Sequence, residues 1–305
     1  MNSPEGVTGK IVVNSNISGA GIFVNNLNTG KFTPDTLSLS PGNYSISLQK
    51  EGYQPASNQV TILANQIIET TILLSQSQAK KIVLMEDFSN ISCVPCVTTN
   101  RIVESLKNYL YPETELAIIK YPTNFPSPDD PFYKANKPDN DERIKFYNVF
   151  STPAMFIDGN TKPVATDSFK IKEAIVARIN LEPGFRIEIT QTKGSPVQIN
   201  IDITPLNTEG LNFSQLVLHT VVVEKEISFE TPPGSNGEKV FHDVMRLMLP
   251  GNKGEDLPVM STGNKYSFNR IFSINSSWQQ DKLKTIVFIQ NKITKEVYQA
   301  ASINY

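Results

Sequence analysis

Short bursts of alternating apolar and polar residues open the chain. Ile11-Val12-Val13, Ile22-Phe23-Val24, Leu37-Ser38-Leu39, Tyr44-Ser45-Ile46-Ser47-Leu48, Val60-Thr61-Ile62 and Thr71-Ile72-Leu73-Leu74 each read as a strand. Turn signals fall between them at Ser18-Gly19, Asn25-Asn26, Thr29-Gly30, Pro41-Gly42-Asn43 and Glu51-Gly52-Tyr53. Period-two patterning with Gly, Pro and Asn punctuation predicts a small β-sandwich over residues 1–77. The polar run Ser75 to Ala79 reads as its linker to the rest.

The pattern then changes. Lys81-Ile82-Val83-Leu84-Met85 is an apolar strand of the kind that can be buried on both faces, and Leu116-Ala117-Ile118-Ile119 is a second apolar strand. Between them Ile102, Val103, Leu106 and Leu110 recur at helical spacing. Tyr121 to Asp139 is rich in proline and acid and reads as a long loop, Asp141 to Tyr147 as a short helix, and Ala154 to Ile157 as a strand. Phe169, Ile171, Ile175 and Ile179 then mark an amphipathic helix. Alternating strand and helix predicts an α/β domain over 78–182. From 183 to 305 seven strand patterns return, beginning at Phe185, Val197, Leu216, Val244, Tyr266, Thr285 and Val297. They predict a C-terminal β-sandwich domain.

Charge narrows the partners. Lys and Arg number 28 against 30 Asp and Glu, a formal net charge of −2, with no basic run interleaved with aromatics. That balance argues against a nucleic-acid partner. No apolar run reaches the roughly 18 residues that would span a bilayer, so no transmembrane segment is expected. The first residues carry neither the basic nor the apolar region of a signal peptide.

The candidate chemistry lies in the two cysteines, Cys93 and Cys96, which form one Cys-x-x-Cys. At the first turn of a helix this spacing places two thiols where they can close a small disulfide ring. Unpaired N–H groups and partial positive charge at the helix start favour a thiolate on Cys93, which is expected to be exposed and nucleophilic. Cys96 would then resolve the mixed disulfide. Pro95 suits a first helical turn. Asp87, six residues before Cys93, could take a proton from Cys96.

The string from Asp87-Phe88 through Cys93-Val94-Pro95-Cys96 resembles the active-site strand, turn and helix of thioredoxins, and Ser151-Thr152-Pro153 before a strand extends the match. The resemblance implies that Pro153 is a cis-proline facing the cysteines and that Thr152 offers backbone groups to an extended peptide. Ser92, Val94 and Pro95 would complete the substrate wall; Ser92 stands where thioredoxins have tryptophan. The first segment resembles the PEGA domain, a bacterial extracytoplasmic β module, through Ser18–Asn25, Thr29-Gly30, Thr33-Pro34, Leu39–Tyr44 and Lys50–Tyr53. Segments two and three resemble the bacterial envelope family related to the 28 kDa outer membrane protein. That match rests on Glu86–Cys96, Phe146–Val149, Phe156–Gly159, Val244–Gly251, Phe288–Asn291 and Val297–Ala301. These likenesses imply a thioredoxin-like α/β domain between two β-sandwiches. They place it outside the cytoplasm, in the periplasm or on the outer membrane surface, with a lipid anchor on a preceding segment as one route.

Blander readings stand beside this one. A structural zinc would need four ligands, and His219 and His242 are the only histidines, both in the last segment. Haem attachment would need His where Val97 stands. Asp139-Asn140-Asp141-Glu142 reads as a helix start, with Asp139 or Asp141 near its N-cap, and lacks the calcium-loop pattern. No cofactor or metal is therefore expected. Two functions remain open. One is a thiol–disulfide oxidoreductase acting on protein or peptide thiols and disulfides. The other is a surface binding or assembly protein, with envelope proteins as partners and a redox-silent thioredoxin fold.

Overall fold

A computed structural model of the chain describes residues 7–50, 53–75 and 79–305. The residues divide into two compact units, 1–78 and 79–305. The expected turn at Glu51-Gly52 and most of the polar linker lie outside the described residues.

The first unit is built from β1 (Gly9–Ser15), β2 (Gly21–Val24), β3 (Leu27–Phe32), β4 (Asp35–Leu39), β5 (Gly42–Gln49), β6 (Ala56–Ile62) and β7 (Ile67–Ile72). One sheet runs β4-β1-β7 and the other β3-β2-β5-β6. Alternate residues from both sheets, among them Ile11, Val13, Ile22, Ile46, Leu48, Ile62 and Ile72, form one core. Thr29-Gly30, read as a turn, instead lies within β3. Gly30 takes φ +72° there, and β2 and β3 show a register shift, so the turn residues supply a bulge rather than a reversal.

The second unit begins with β8 (Val83–Ser89), α1 (Val94–Tyr109), β9 (Leu116–Pro122), α2 (Pro131–Ala135), α3 (Lys137–Tyr147), β10 (Ala154–Ile157) and α4 (Ser168–Ile179). It continues with β11 (Phe185–Gln191), β12 (Val197–Pro205), β13 (Leu216–Glu224), β14 (Ile227–Ser228), β15 (Val240–Phe241) and β16 (Val244–Leu249). The last strands are β17 (Glu255–Asp256), β18 (Tyr266–Phe272), β19 (Leu283–Asn291) and β20 (Val297–Asn304). Strand predominates over helix through the chain.

The boundary expected at 182/183 is not a break in the structure. A single sheet runs β10-β8-β9-β16-β13-β19-β20, with β17 added beside β13. β8 and β9 are parallel, β10 is antiparallel to β8, and β9 meets β16 at Lys120 and Val244. The backbone of β9 would otherwise present an open edge, and β16 meets that edge at this one pair. One face of this sheet shares a single core: Leu84 and Phe88, Ile119 and Tyr121, Val221 and Val223, Ile286 and Phe288, packed with Tyr147 and Val149. The opposite face is covered in two patches. Helices α1 and α4 pack on Val83, Met85, Leu116 and Ile118. The three-stranded sheet β11-β12-β18 packs on Leu216, Leu218, Val222, Val287 and Ile289, completing the C-terminal sandwich. Cover on both faces explains why every residue of β8, β9, β13 and β19 is buried.

Two ends of the predicted helical stripes differ from expectation. Leu110 is half exposed because α1 stops at Tyr109 and Leu110 is its C-cap. Phe169 is also exposed, since it lies in the first turn of α4 beside the N-cap Asp167, while Ile171, Ala174 and Ile175 face the core. The long acidic loop is partly helical. Asp130 caps α2, and Asn136, rather than Asp139 or Asp141, caps α3. Asp139 instead reaches across to accept from the Met248 amide at 2.9 Å.

Candidate functional site

Cys93 and Cys96 are joined as a disulfide at the start of α1. Cys93 is the N-cap, with extended backbone, and its sulfur lies 3.2 Å from the amide nitrogen of Cys96. Pro95 occupies the first turn, where its missing N–H leaves no helical bond unmade. Both cysteines are buried, Cys93 at 2% exposure and Cys96 at 0%. This corrects the expectation of an exposed first sulfur. Val94 and Pro95, by contrast, are exposed and Ser92 is half-buried, so the outward wall of the turn is made by its neighbours.

The burial of Cys93 accompanies a buttressed turn. Asn90 donates through its amide group to the carbonyls of Thr123 at 2.7 Å and Ser127 at 2.9 Å. The Asp130 carboxylate accepts from the Ile91 amide at 3.0 Å and from Phe132 at 2.8 Å. Burial pushes the Asp130 carboxyl up, against those backbone donors. From the C-terminal part, the Asn236 amide donates to the Ile91 carbonyl at 3.1 Å. Gly234 lies so close that a Cβ there would stand 2.3 Å from the same oxygen. Ile91, Phe132, Phe241 and Val244, with Ile227 and Phe229, close a small apolar cluster under this turn.

Beneath α1, Asp87 and Lys120 are register partners on the parallel strands β8 and β9. Strand alternation puts both on the face that carries α1, in line with Met85 and Ile118. Asp87 is fully buried; Lys120 Nζ stands 3.5 Å from Oδ2, a long ion pair, and no closer donor reaches either carboxylate oxygen. Burial raises the Asp87 carboxyl above the ordinary range. Lys120 offsets this in part, and the charge of Glu238 adds to it. Lys120 makes its hydrogen bond elsewhere, to Asn100 Oδ1.

Thr152 and Pro153 are half-buried, and the bond between them is cis. They directly precede β10, whose Ala154 and Met155 pair with Phe88 and Asp87. The Thr152–Pro153 segment therefore joins the end of the sheet from which β8 leads into the Cys93 turn.

The remaining candidates do other work. Glu86 points to the opposite face, where it binds Arg143 and Tyr147; Gln290 completes that cluster at 3.0 Å from Arg143 and 2.8 Å from Tyr147. His219 is buried and stacked on Phe288 at 4.9 Å. Burial, with Arg143 nearby, holds it well below the usual histidine range, so it is neutral. His242 is half-buried, with Nδ1 3.2 Å from the Lys225 carbonyl. Among the described residues no three His, Cys, Asp or Glu side chains gather at metal-binding reach. No helix among them is long and apolar enough to cross a membrane.

Sequence reasoning missed Lys120, Asn100, Asn90, Asp130 and Glu238. For Lys120 a signal was present: a lone lysine ending the run Leu116-Ala117-Ile118-Ile119 must find a partner when its strand is buried. The other four take their places through contacts distant in sequence.

Residues 8–78 match the PEGA domain. No curated protein matches the chain. Among solved structures, HBP35 of Porphyromonas gingivalis is similar with a TM-score of 0.61 and 14% identity, over 75% of this chain and 76% of that one. A structural-genomics protein of Agrobacterium tumefaciens is similar at 0.52 and 14% identity, over 75% of this chain and 96% of its own. A domain of the outer membrane lipoprotein Omp28 from Porphyromonas gingivalis aligns over 40% of this chain and 94% of its own length, at 14% identity and a TM-score of 0.27. The first two likenesses show a shared fold and nothing finer.

Proposed function

We propose that β8, α1, β9, β10 and α4 form a thioredoxin-like unit and that Cys93 and Cys96 exchange disulfides with protein partners outside the cytoplasm. The observation that carries this reading is the buried carboxylate of Asp87, held only by a long 3.5 Å ion pair to Lys120, beneath the helix that begins with the Cys93–Cys96 pair. A carboxylate so placed is a base in search of a proton, and the thiol of reduced Cys96 has one to give.

In the reducing direction, the Cys93 thiolate attacks a partner disulfide. A bond forms from Cys93 to one partner sulfur, and the other leaves as a thiolate. Asp87 takes the Cys96 proton, and the Cys96 thiolate attacks Cys93. The Cys93–Cys96 bond forms as the bond to the partner breaks, and the second partner sulfur leaves as a thiolate. Two electrons have passed to the partner, and an external dithiol restores the pair. Thr152 and Pro153, with Ser92, Val94 and Pro95, line the path of the partner peptide.

A second reading rests on a specific observation, the burial of Cys93. In it the disulfide is structural and the chain is a surface binding or assembly protein. The comparisons lean this way, since residues 8–78 match the PEGA domain, which resembles a surface β module.

Turnover of a disulfide-containing protein with dithiothreitol as reductant separates the two. Exchange requires that Cys93→Ser abolish turnover and that Cys96→Ser accumulate a mixed disulfide. A structural disulfide gives no turnover above the dithiothreitol background.

A further inference from the structure

A chain of polar contacts links Asp87 to a loop of the C-terminal part. Lys120 Nζ is shared between Asp87, at 3.5 Å, and Asn100 Oδ1, to which it makes its hydrogen bond. Asn100 lies one helical turn after Cys96 on α1, on the same side of the helix. Its amide nitrogen donates to Glu238 Oε1 at 2.7 Å. Glu238 Oε2 accepts from the Asn236 side chain at 2.7 Å, and its backbone amide donates to Asn236 Oδ1 at 3.0 Å. The Asn236 amide is the group that holds the Ile91 carbonyl, two residues before Cys93.

The chemistry of the ends fixes the middle. A carboxylate only accepts and an ammonium only donates, so an amide between them has one orientation, nitrogen toward Glu238 and oxygen toward Lys120. A hydrogen bond between ammonium and carboxylate runs at about 2.7–2.9 Å. The 3.5 Å gap to Asp87 is longer, so this ion pair is stretched, and no closer donor reaches either Asp87 oxygen.

We infer that Glu238, acting through Asn100, is a positioning residue that holds the Lys120 ammonium back from Asp87 and so keeps Asp87 a base able to take the Cys96 proton. This rests on the redox reading above. Without the Glu238–Asn100 brace, Lys120 would close on Asp87, and a full ion pair would make the carboxylate a weaker base. The Glu238 charge acts in the same direction, raising the Asp87 carboxyl beyond what burial does. Lys120 from β9 and Glu238 from the loop are the charged groups that bear on Asp87. Its β10 neighbour is Met155, and Cys93 and Cys96, at the start of α1, titrate only when reduced. A residue of the C-terminal part would thus set the proton affinity of a site built on β8 and α1.

The test uses the full chain and the variants Glu238→Gln and Asn100→Ala. Glu238 and Asn100 are half-buried, so the variants remove little packing; thermal melts check that both fold. Carbon-13 NMR titration of the Asp87 carboxyl in the oxidised protein reads its proton affinity independently of turnover. Turnover of a protein disulfide with dithiothreitol as reductant is followed against pH in parallel. The expected result is an Asp87 midpoint at lower pH in both variants, with mixed-disulfide resolution at neutral pH slowed on the order of tenfold, a fraction of the roughly 10²–10⁴-fold that a general base supplies in full. An unchanged midpoint and pH profile in both variants, with turnover intact in the parent, would overturn the inference and leave the redox reading standing. A shifted midpoint in a protein with no turnover would remove the redox reading, and the role for Cys96 with it.

Discussion

Asp87 Oδ2 and Lys120 Nζ stand 3.5 Å apart at one register of two parallel strands, under the helix that begins with the disulfide. The pair is buried, and no closer donor than Lys120 reaches the carboxylate. Such an arrangement weakens the fold when Asp87 is charged, and it makes sense where a proton must be accepted.

That arrangement predicts a pH-dependent stability difference. The Asp87 carboxyl is raised in the folded protein, so the folded state binds its proton more tightly than the unfolded chain does. Stability therefore falls as pH rises from the unfolded value, about 3.9, through the folded midpoint, and the penalty is complete above it. The oxidised Asp87→Asn variant should melt above the parent at pH 8, with the two curves converging near pH 4. Its resolution of a mixed disulfide should be slowed at neutral pH. A variant that melts below the parent at pH 8 would show that Lys120 satisfies Asp87 fully.

The buried cluster on the opposite face predicts a larger effect. Arg143 is 1% exposed and binds Glu86, with its guanidinium 4.7 Å from the Phe146 ring centre and 5.0 Å from that of Tyr147. Arg143→Met leaves the Glu86 carboxylate buried beside one hydroxyl, at a cost of about 3–5 kcal/mol. Tyr147→Phe removes a neutral hydroxyl that donates to Glu86 and accepts from Gln290 and Arg143, and should cost about 1–3 kcal/mol. Urea unfolding of the two variants gives the order; equal losses would mean that Arg143 contributes packing alone.

Asp243 carries the opposite pH signature. Burial works to raise its carboxyl, but Lys284 and Lys107, each 2.6 Å away, hold it below the ordinary range. A lowered folded value contributes stability that is present above the unfolded value and lost as pH falls through the folded one. Asp243→Asn should therefore be destabilised at pH 7, with the gap to the parent closing in strong acid. A gap that stays constant down to pH 2 would mean that the loss is steric.

Much of this could be read from the chain. Two β-rich segments, the strand at Val83, the helix after Cys93 and all seven C-terminal strand patterns follow from apolar period. The sequence could not show that β9 would meet β16, because that junction rests on one register pair, Lys120 with Val244, and on the Lys120 amide bonding the Asp243 carbonyl at 2.8 Å. No local pattern records such a contact. The same holds for the Cys93 turn. Its cover comes from Asp130 in a stretch that reads as loop and from Gly234 and Asn236 in a Pro-Pro-Gly segment without periodicity. The exposed Cys93 expected from motif logic becomes buried through partners that the motif does not contain.

Gly234 offers a direct check on that cover. A Cβ at this position meets the Ile91 carbonyl at 2.3 Å and Ile91 side-chain atoms at 2.6 Å, so backbone must move. Gly234→Ala should cost about 1–3 kcal/mol. It should also raise the alkylation rate of Cys93 in the reduced protein several-fold, as mapped by mass spectrometry. An unchanged rate in a destabilised variant would mean that the loop braces the turn without shielding the sulfur.

An equilibrium redox titration decides whether Cys93 and Cys96 exchange electrons with partner proteins. The protein is equilibrated with glutathione buffers of graded ratio, free thiols are trapped, and the oxidised and reduced forms are counted. An exchanging pair has a midpoint above about −300 mV, in the range where known dithiol catalysts lie. That is the result expected here, with a reduced form whose Cys93 alkylates before Cys96. A midpoint below about −300 mV, with both thiols inaccessible until the protein unfolds, would rule out exchange and leave the disulfide a structural link in a binding protein.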